Sequence, residues 1–182
     1  MLVASMLATI EPAGNALSGL DSQLTKLKAD TALVFPSAAV DEHPLWSPDG
    51  RFLAVNVEGE WQRVDLTAVI LEAGSWRRGQ ALGVITNREA LSVAPATDIA
   101  AWQKSNTLRP RRATVGGADV QLQASELSTA LVLTFPGRKP ETRWQSDMEN
   151  CHSLVVAPDK RHVAFICEMN GVFILRVGEG GA

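Results

Sequence analysis

Tyrosine is missing from the 182 residues, and histidine occurs only three times. No apolar run approaches the ~18 residues that a membrane-spanning helix needs. The net charge of −3 supplies no basic field of the kind that draws phosphates, which argues against nucleic acid as a partner. Cysteine is limited to Cys151 and Cys167, too few for a zinc site, which takes about four ligands. The chain carries no Gly-x-Ser-x-Gly elbow, no His-Glu-x-x-His pair and no glycine-rich phosphate loop. His43 stands in Asp41-Glu42-His43-Pro44, but neighbours in sequence point in different directions, whereas triad members converge from separate segments. His43 is therefore expected in a solvated loop, and His152 and His162 at the surface or at strand ends. Taken together, these gaps predict a protein that is not an enzyme, holds no cofactor and does not insert into a membrane.

Hydrophobic residues make up 46% of the chain and charged residues 20%, ordinary values for a globular protein long enough to bury a core. Residues 1–16 combine a short apolar run, Met1 to Ile10, with a small-residue end, Ala13-Gly14-Asn15-Ala16. That pattern is similar to a secretory signal peptide lacking its positive leading segment; the alternative is an ordinary N-terminal helix or strand. Residues 17–182 read as one domain. Leu20, Leu24 and Leu27 recur at spacings of four and three, the period of an amphipathic helix. Strands are expected at Thr31–Phe35, Ala81–Ile85, Ala130–Phe135 and Val172–Val177, and a turn at Trp76-Arg77-Arg78-Gly79.

The most informative stretch is Trp46-Ser47-Pro48-Asp49-Gly50-Arg51, followed by Phe52–Val57, Glu58-Gly59-Glu60 and Trp61–Leu66. Pro48 presets φ, Asp49 can cap the turn and Gly50 tolerates φ > 0, so a strand–turn–strand unit follows the turn. Both faces of Phe52–Val57 are apolar, as in a strand covered on both sides. Weaker copies are expected at Leu91–Trp102, with Ala94-Pro95, and at His152–Val177, with Ala157-Pro158-Asp159. Each copy has a small residue before the proline and an alanine six places after it: Ala54, Ala101 and Ala164. The prolines are separated by 47 and 63 residues (95 − 48 and 158 − 95), the first within the ~40–50 of one propeller blade. Asn170-Gly171 is a two-residue hairpin signal. Cys151 and Cys167 flank the last unit, where neighbouring strands can bring them into disulfide range in an oxidising compartment; buried free thiols are the alternative.

These residues resemble the WSPDG-type blades of TolB-like propellers, which are related to WD repeats. The resemblance covers about half the chain near 46–66, 91–102 and 152–177. It implies an all-β fold, a small, irregular or incomplete β-propeller-like stack of antiparallel sheets. A closed propeller takes ~4–8 blades. Since such scaffolds place function in their loops, partner binding is expected at the polar run Gln103, Lys104, Ser105, Asn106, Thr107 and at Arg109 in the basic cluster Arg109-Pro110-Arg111-Arg112. Trp61, Trp76 and Trp144 are candidate interface anchors or core residues. The implied function is a protein-binding module of the bacterial envelope, periplasmic or alternatively cytoplasmic. In its most specific form it is an immunity protein that blocks a secreted toxin enzyme such as a cell-wall amidase. A TolB-like scaffold that grips an envelope protein or peptide, and the propeller fragment of a larger peptidase, are the alternatives. Oligomeric state stays open, because unpaired blade edges can be covered by a second copy.

Overall fold

A computed structural model describes residues 14–36, 40, 42–75, 81–147 and 150–178 of the chain. Residues 1–13 of the signal-like segment and the turn expected at 76–79 lie outside the described residues. In chain order the elements are helix α1 (Gly14–Lys26) and strands β1 (Thr31–Pro36), β2 (Leu45–Trp46), β3 (Phe52–Val57), β4 (Glu60–Asp65), β5 (Leu71–Ser75), β6 (Ala81–Ile85) and β7 (Leu91–Val93). Helix α2 (Ala96–Ser105) follows, then β8 (Leu108–Arg109), β9 (Arg112–Val115), β10 (Ala118–Ala124), β11 (Ser128–Thr134), β12 (Glu141–Asp147), β13 (Cys151–Val156), β14 (His162–Cys167) and β15 (Gly171–Arg176).

Strand dominates, and the strands of the described residues form three sheets, none of them closed. One has seven strands in the order β5-β6-β1-β15-β14-β13-β8; the others run β2-β3-β4-β7 and β12-β11-β10-β9. Every pairing is antiparallel except β1 with β6. β1 lies against β15, so the first described strand is stitched to the last.

The central strands β14 and β15 of the seven-stranded sheet are buried on both faces, and their alternation divides the side chains between two cores. Ala164, Ile166, Val172 and Ile174 point into a core shared with Leu17, Leu20 and Leu24 of α1 and with Trp46, Leu53, Val55 and Val64 of the β2–β4 meander. Val163, Phe165, Phe173 and Leu175 point into a second core closed by Val120, Leu122, Leu131 and Trp144 of the β9–β12 sheet. Trp144, Phe165 and Phe173 meet there with ring centroids 5.1–5.4 Å apart. Burying each such side chain is worth about 2–3 kcal/mol. Trp144 is thus core, and Trp61 is half-buried beside the third, smaller cluster of Leu45, Ala54, Ile99 and Trp102.

Two of the three expected proline turns share one backbone pattern. In the first, the Gly50 N–H donates to Ser47 O at 2.9 Å, Asp49 Oδ1 accepts the Arg51 N–H at 3.0 Å, and Ser47 N–H donates to Phe52 O at 3.0 Å. In the second, Lys160 N–H donates to Ala157 O, Asp159 Oδ1 accepts the Arg161 N–H and Ala157 N–H donates to His162 O, each at 2.9 Å. Gly50 and Lys160 occupy the same left-handed position, at φ 69° and 57°. Ala54 and Ala164 sit fully buried in β3 and β14.

The copy expected at 91–102 is corrected. After Pro95 the chain turns into helix α2, and Ala101 is exposed on it. Alanine favours helix, Asp98 lies in the first turn, and Ile99 and Trp102, three apart, share the buried face.

The last hairpin also differs from the two-residue Asn-Gly turn expected. Asn170 N–H donates to Cys167 O at 3.1 Å, and only Gly171, at φ 107°, is left-handed. This is a three-residue connection, Glu168 to Asn170, closed by the Cys167–Gly171 pair. The two-residue loop with both central φ positive is instead Glu58-Gly59, at 53° and 83°. Cys151 and Cys167 face each other across β13 and β14 with Cα atoms 4.2 Å apart and form the expected disulfide.

Candidate functional site

The C-terminus of α2 fixes where the polar run goes. Asn106 donates through Nδ2 to Trp102 O and Trp46 O and accepts the Trp46 N–H at Oδ1, all at 2.8 Å. One side chain thereby closes the helix and clamps it to β2. Trp46 continues the link, its Nε1–H donating to Val155 O at 3.0 Å inside the core.

From Asn106 the chain is handed between two sheets. β8 pairs with β13, Arg109 opposite Leu154, and Ser153 N–H donates to Pro110 O at 2.9 Å. β9 then joins the other sheet, with Arg112 opposite Gln121 and Thr114 opposite Asp119. Between this handover and the second repeated turn lies an open groove of about 770 Å³. Ser105 at the end of α2, Thr107 and Arg109 form one stretch of wall, and Arg112 and Thr114, two apart on β9 as the strand period requires, form the next. Val156, Ala157, Pro158 and Lys160 form the opposite wall. The tip of the β9–β10 hairpin holds that wall in place, Gly116 N–H donating to Lys160 O at 2.7 Å.

The groove is electropositive although the chain is acidic. Three cations line it, Arg109, Arg112 and Lys160, against one carboxylate, Asp119, which pairs with Arg112 at 2.7 Å. Arg109 and Lys160 make no ion pair among the described residues, and the Arg112 side chain stays 69% exposed despite its partner. A second pocket of about 260 Å³ adjoins it and shares Ser105, Val156 and Pro158. Trp46, Pro48 and Asn106 complete that lining, so the prolines of both repeated turns face one cavity.

Of the residues expected to bind a partner, Ser105, Thr107 and Arg109 line the groove, and Ser105 and Asn106 the adjoining pocket. Gln103 and Lys104 are exposed on α2 and line neither. The polar run is not a projecting loop as expected: it is a helix end and a short strand. Sequence reading missed Thr114, Asp119 and Lys160. The alternation Thr-x-Arg over 107–109 and Arg-x-Thr over 112–114 was the available signal.

His162 stands at the start of β14, one of the two placements expected, but it is fully buried and not at the surface. Its Nδ1–H donates to Asp159 Oδ2 at 2.6 Å and its Nε2–H to Asp21 Oδ1 at 2.7 Å. Burial alone would push its pKa down; the hydrogen bonds to Asp159 and Asp21, with their charges, outweigh this and raise it to about 9. Burial likewise tends to raise the Asp159 pKa, but His162 and the backbone N–H groups of Arg161 and His162 hold it below the usual carboxylate value. Arg176 extends the network to Thr25 Oγ1 at 2.7 Å and to Asp30 at 3.3 Å. Both ring nitrogens are committed to carboxylates, so this imidazolium ties α1 to the second repeated turn. His152 is half-buried, with Nδ1 2.7 Å from Ser153 Oγ, and His43 is half-buried in coil.

Among the described residues no group of three or more His, Cys, Asp or Glu side chains is arranged to hold a metal ion, and no described helix is long and apolar enough to cross a membrane. No family model, curated protein or solved structure matches the chain.

Proposed function

We propose that this chain is a non-catalytic protein-binding module of the bacterial envelope, with the groove between β8, β9 and the Ala157–Lys160 turn as its binding seat. The observation that carries the reading is the groove itself: Arg109, Arg112 and Thr114 presented on strands whose positions are fixed by backbone pairing, with Thr107 just before β8 and Lys160 on the facing turn. Rigid strands hold such a constellation better than free loops do. The Cys151–Cys167 disulfide is compatible with an oxidising periplasm. The resemblance of the Ser47–Gly50 and Ala157–Lys160 turns to TolB-like blades supports reading the two units as parts of an incomplete propeller.

The narrower form of the proposal is an immunity protein that inhibits a secreted hydrolase, such as a cell-wall amidase. The concavity of the site favours a second form, a scaffold that grips a projecting segment of an envelope protein. Co-expression with the product of the neighbouring gene separates them. A stable complex in which hydrolase activity is lost supports the inhibitor. A stable complex without inhibition supports the scaffold. Absence of any complex with a protein partner refutes the binding-module reading.

A further inference from the structure

The groove and its adjoining pocket differ in chemistry, and the difference gives a direction to whatever lies in them. At one end stand Arg109, Arg112 and Lys160 with the hydroxyls of Thr107 and Thr114; only Asp119 opposes them. At the other end the surface is made by Pro48, Pro158, Val156 and Trp46. Ser105 lies between, on the last turn of α2, where the helix dipole presents its negative pole. An anion is therefore disfavoured at the Ser105 end and favoured at the Arg109–Arg112 end. The lengthwise arrangement is that of a site for an extended chain, not for a compact ligand.

Resting on the binding-module reading, we propose that the groove receives an extended acidic segment of the partner protein. Its side-chain carboxylates lie against Arg109, Arg112 and Lys160, and an apolar side chain next to them enters the pocket between Pro48 and Pro158. The guanidinium groups can each take a carboxylate through paired N–H donors, and Thr107 and Thr114 offer further hydroxyl donors. Charge complementarity supports this occupant: the wall is basic while the chain as a whole carries −3.

The test is fluorescence anisotropy with labelled hexapeptides, amidated at the C-terminus so that only side-chain carboxylates contribute. The probes are Leu-Glu-Asp-Glu-Asp-Glu, its Gln/Asn isostere and a Lys counterpart. The expected result is binding of the acidic peptide alone, weakened about tenfold by Arg109→Gln with Arg112→Gln and weakened again by raising salt. Lys139→Gln, an exposed charge away from the groove, should bind as the parent does. If Arg112→Gln disturbs the fold through Asp119, Arg109→Gln with Lys160→Gln gives the same readout. Equal binding of acidic and isosteric peptides overturns the proposal, as does full competition by inorganic phosphate at equal total charge, which marks a small-anion site. A protein complex indifferent to Arg109→Gln/Arg112→Gln overturns this inference while leaving the binding-module reading intact. Acidic-peptide binding without any protein complex supports the groove chemistry and sinks that reading.

Discussion

Replacing His162 by Gln should remove a pH-dependent part of the stability and leave a recognisable trace. The ring is buried between Asp159 and Asp21, whose side chains are 13% and 27% exposed, and its pKa stands at about 9 against an ordinary 6.5. At about 1.4 kcal/mol per tenfold change in proton affinity, that difference corresponds to about 3 kcal/mol. The folded-state pKa is raised, so the contribution is fully present below pH 6.5 and disappears as pH rises through about 9. Asp159 acts in the opposite sense: its depressed pKa adds stability above the ordinary carboxylate range, lost as pH falls. Urea unfolding with the disulfide intact, run from pH 6 to pH 10, measures the upper limb. The chain suits this measurement, because it has no tyrosine and its cysteines are bonded, so few other groups titrate there. The parent should lose about 3 kcal/mol across the window while His162→Gln stays nearly flat, the two curves converging at high pH. Parallel curves for the two proteins would refute the buried imidazolium.

Three other perturbations have defined outcomes. Gly171→Val should cost about 3 kcal/mol or more in urea unfolding, because φ is 107° and a Cβ would collide with the Phe35 carbonyl; an unchanged midpoint contradicts the β1–β15 junction. Reducing Cys151–Cys167, 16 residues apart, should lower stability by about 3 kcal/mol; two reactive thiols in unfolded, unreduced protein would disprove the bond. Asn106→Ala should cost about 2 kcal/mol by freeing the Trp46 backbone, and thermal melting that leaves the parent and variant together counts against the clamp.

The parts of this fold that were legible in the sequence are those whose signals are local. Pro48, Asp49 and Gly50 build a turn from their own φ preferences and caps, and the second turn was legible in Pro158 and Asp159 even with Lys160 in the glycine place. Leu20 and Leu24 announced the buried face of α1. The apparent copy at 91–102 failed because proline followed by alanines suits a helix start as well as a strand approach. The spacing of Ile99 and Trp102 was the evidence that should have decided it. His162 was illegible for a different reason: Asp159 is three residues away, but Asp21 is 141 residues away, and burial arises only from their meeting. The groove was half legible. Thr107 and Arg109 stood out as a polar and basic stretch, whereas Lys160 comes from the distant Ala157–Lys160 turn, brought across by the Gly116–Lys160 contact.

Photocrosslinking reports whether the groove seats an acidic segment of a protein partner. A benzophenone amino acid placed at Thr107, inside the groove, is activated in the native host and the crosslinked peptide sequenced. One partner protein, joined through an acidic stretch, is expected, with loss of the adduct in the Arg109→Gln/Arg112→Gln background. Crosslinks that survive those substitutions, or that match those from a probe at exposed Gln123, would contradict that seating.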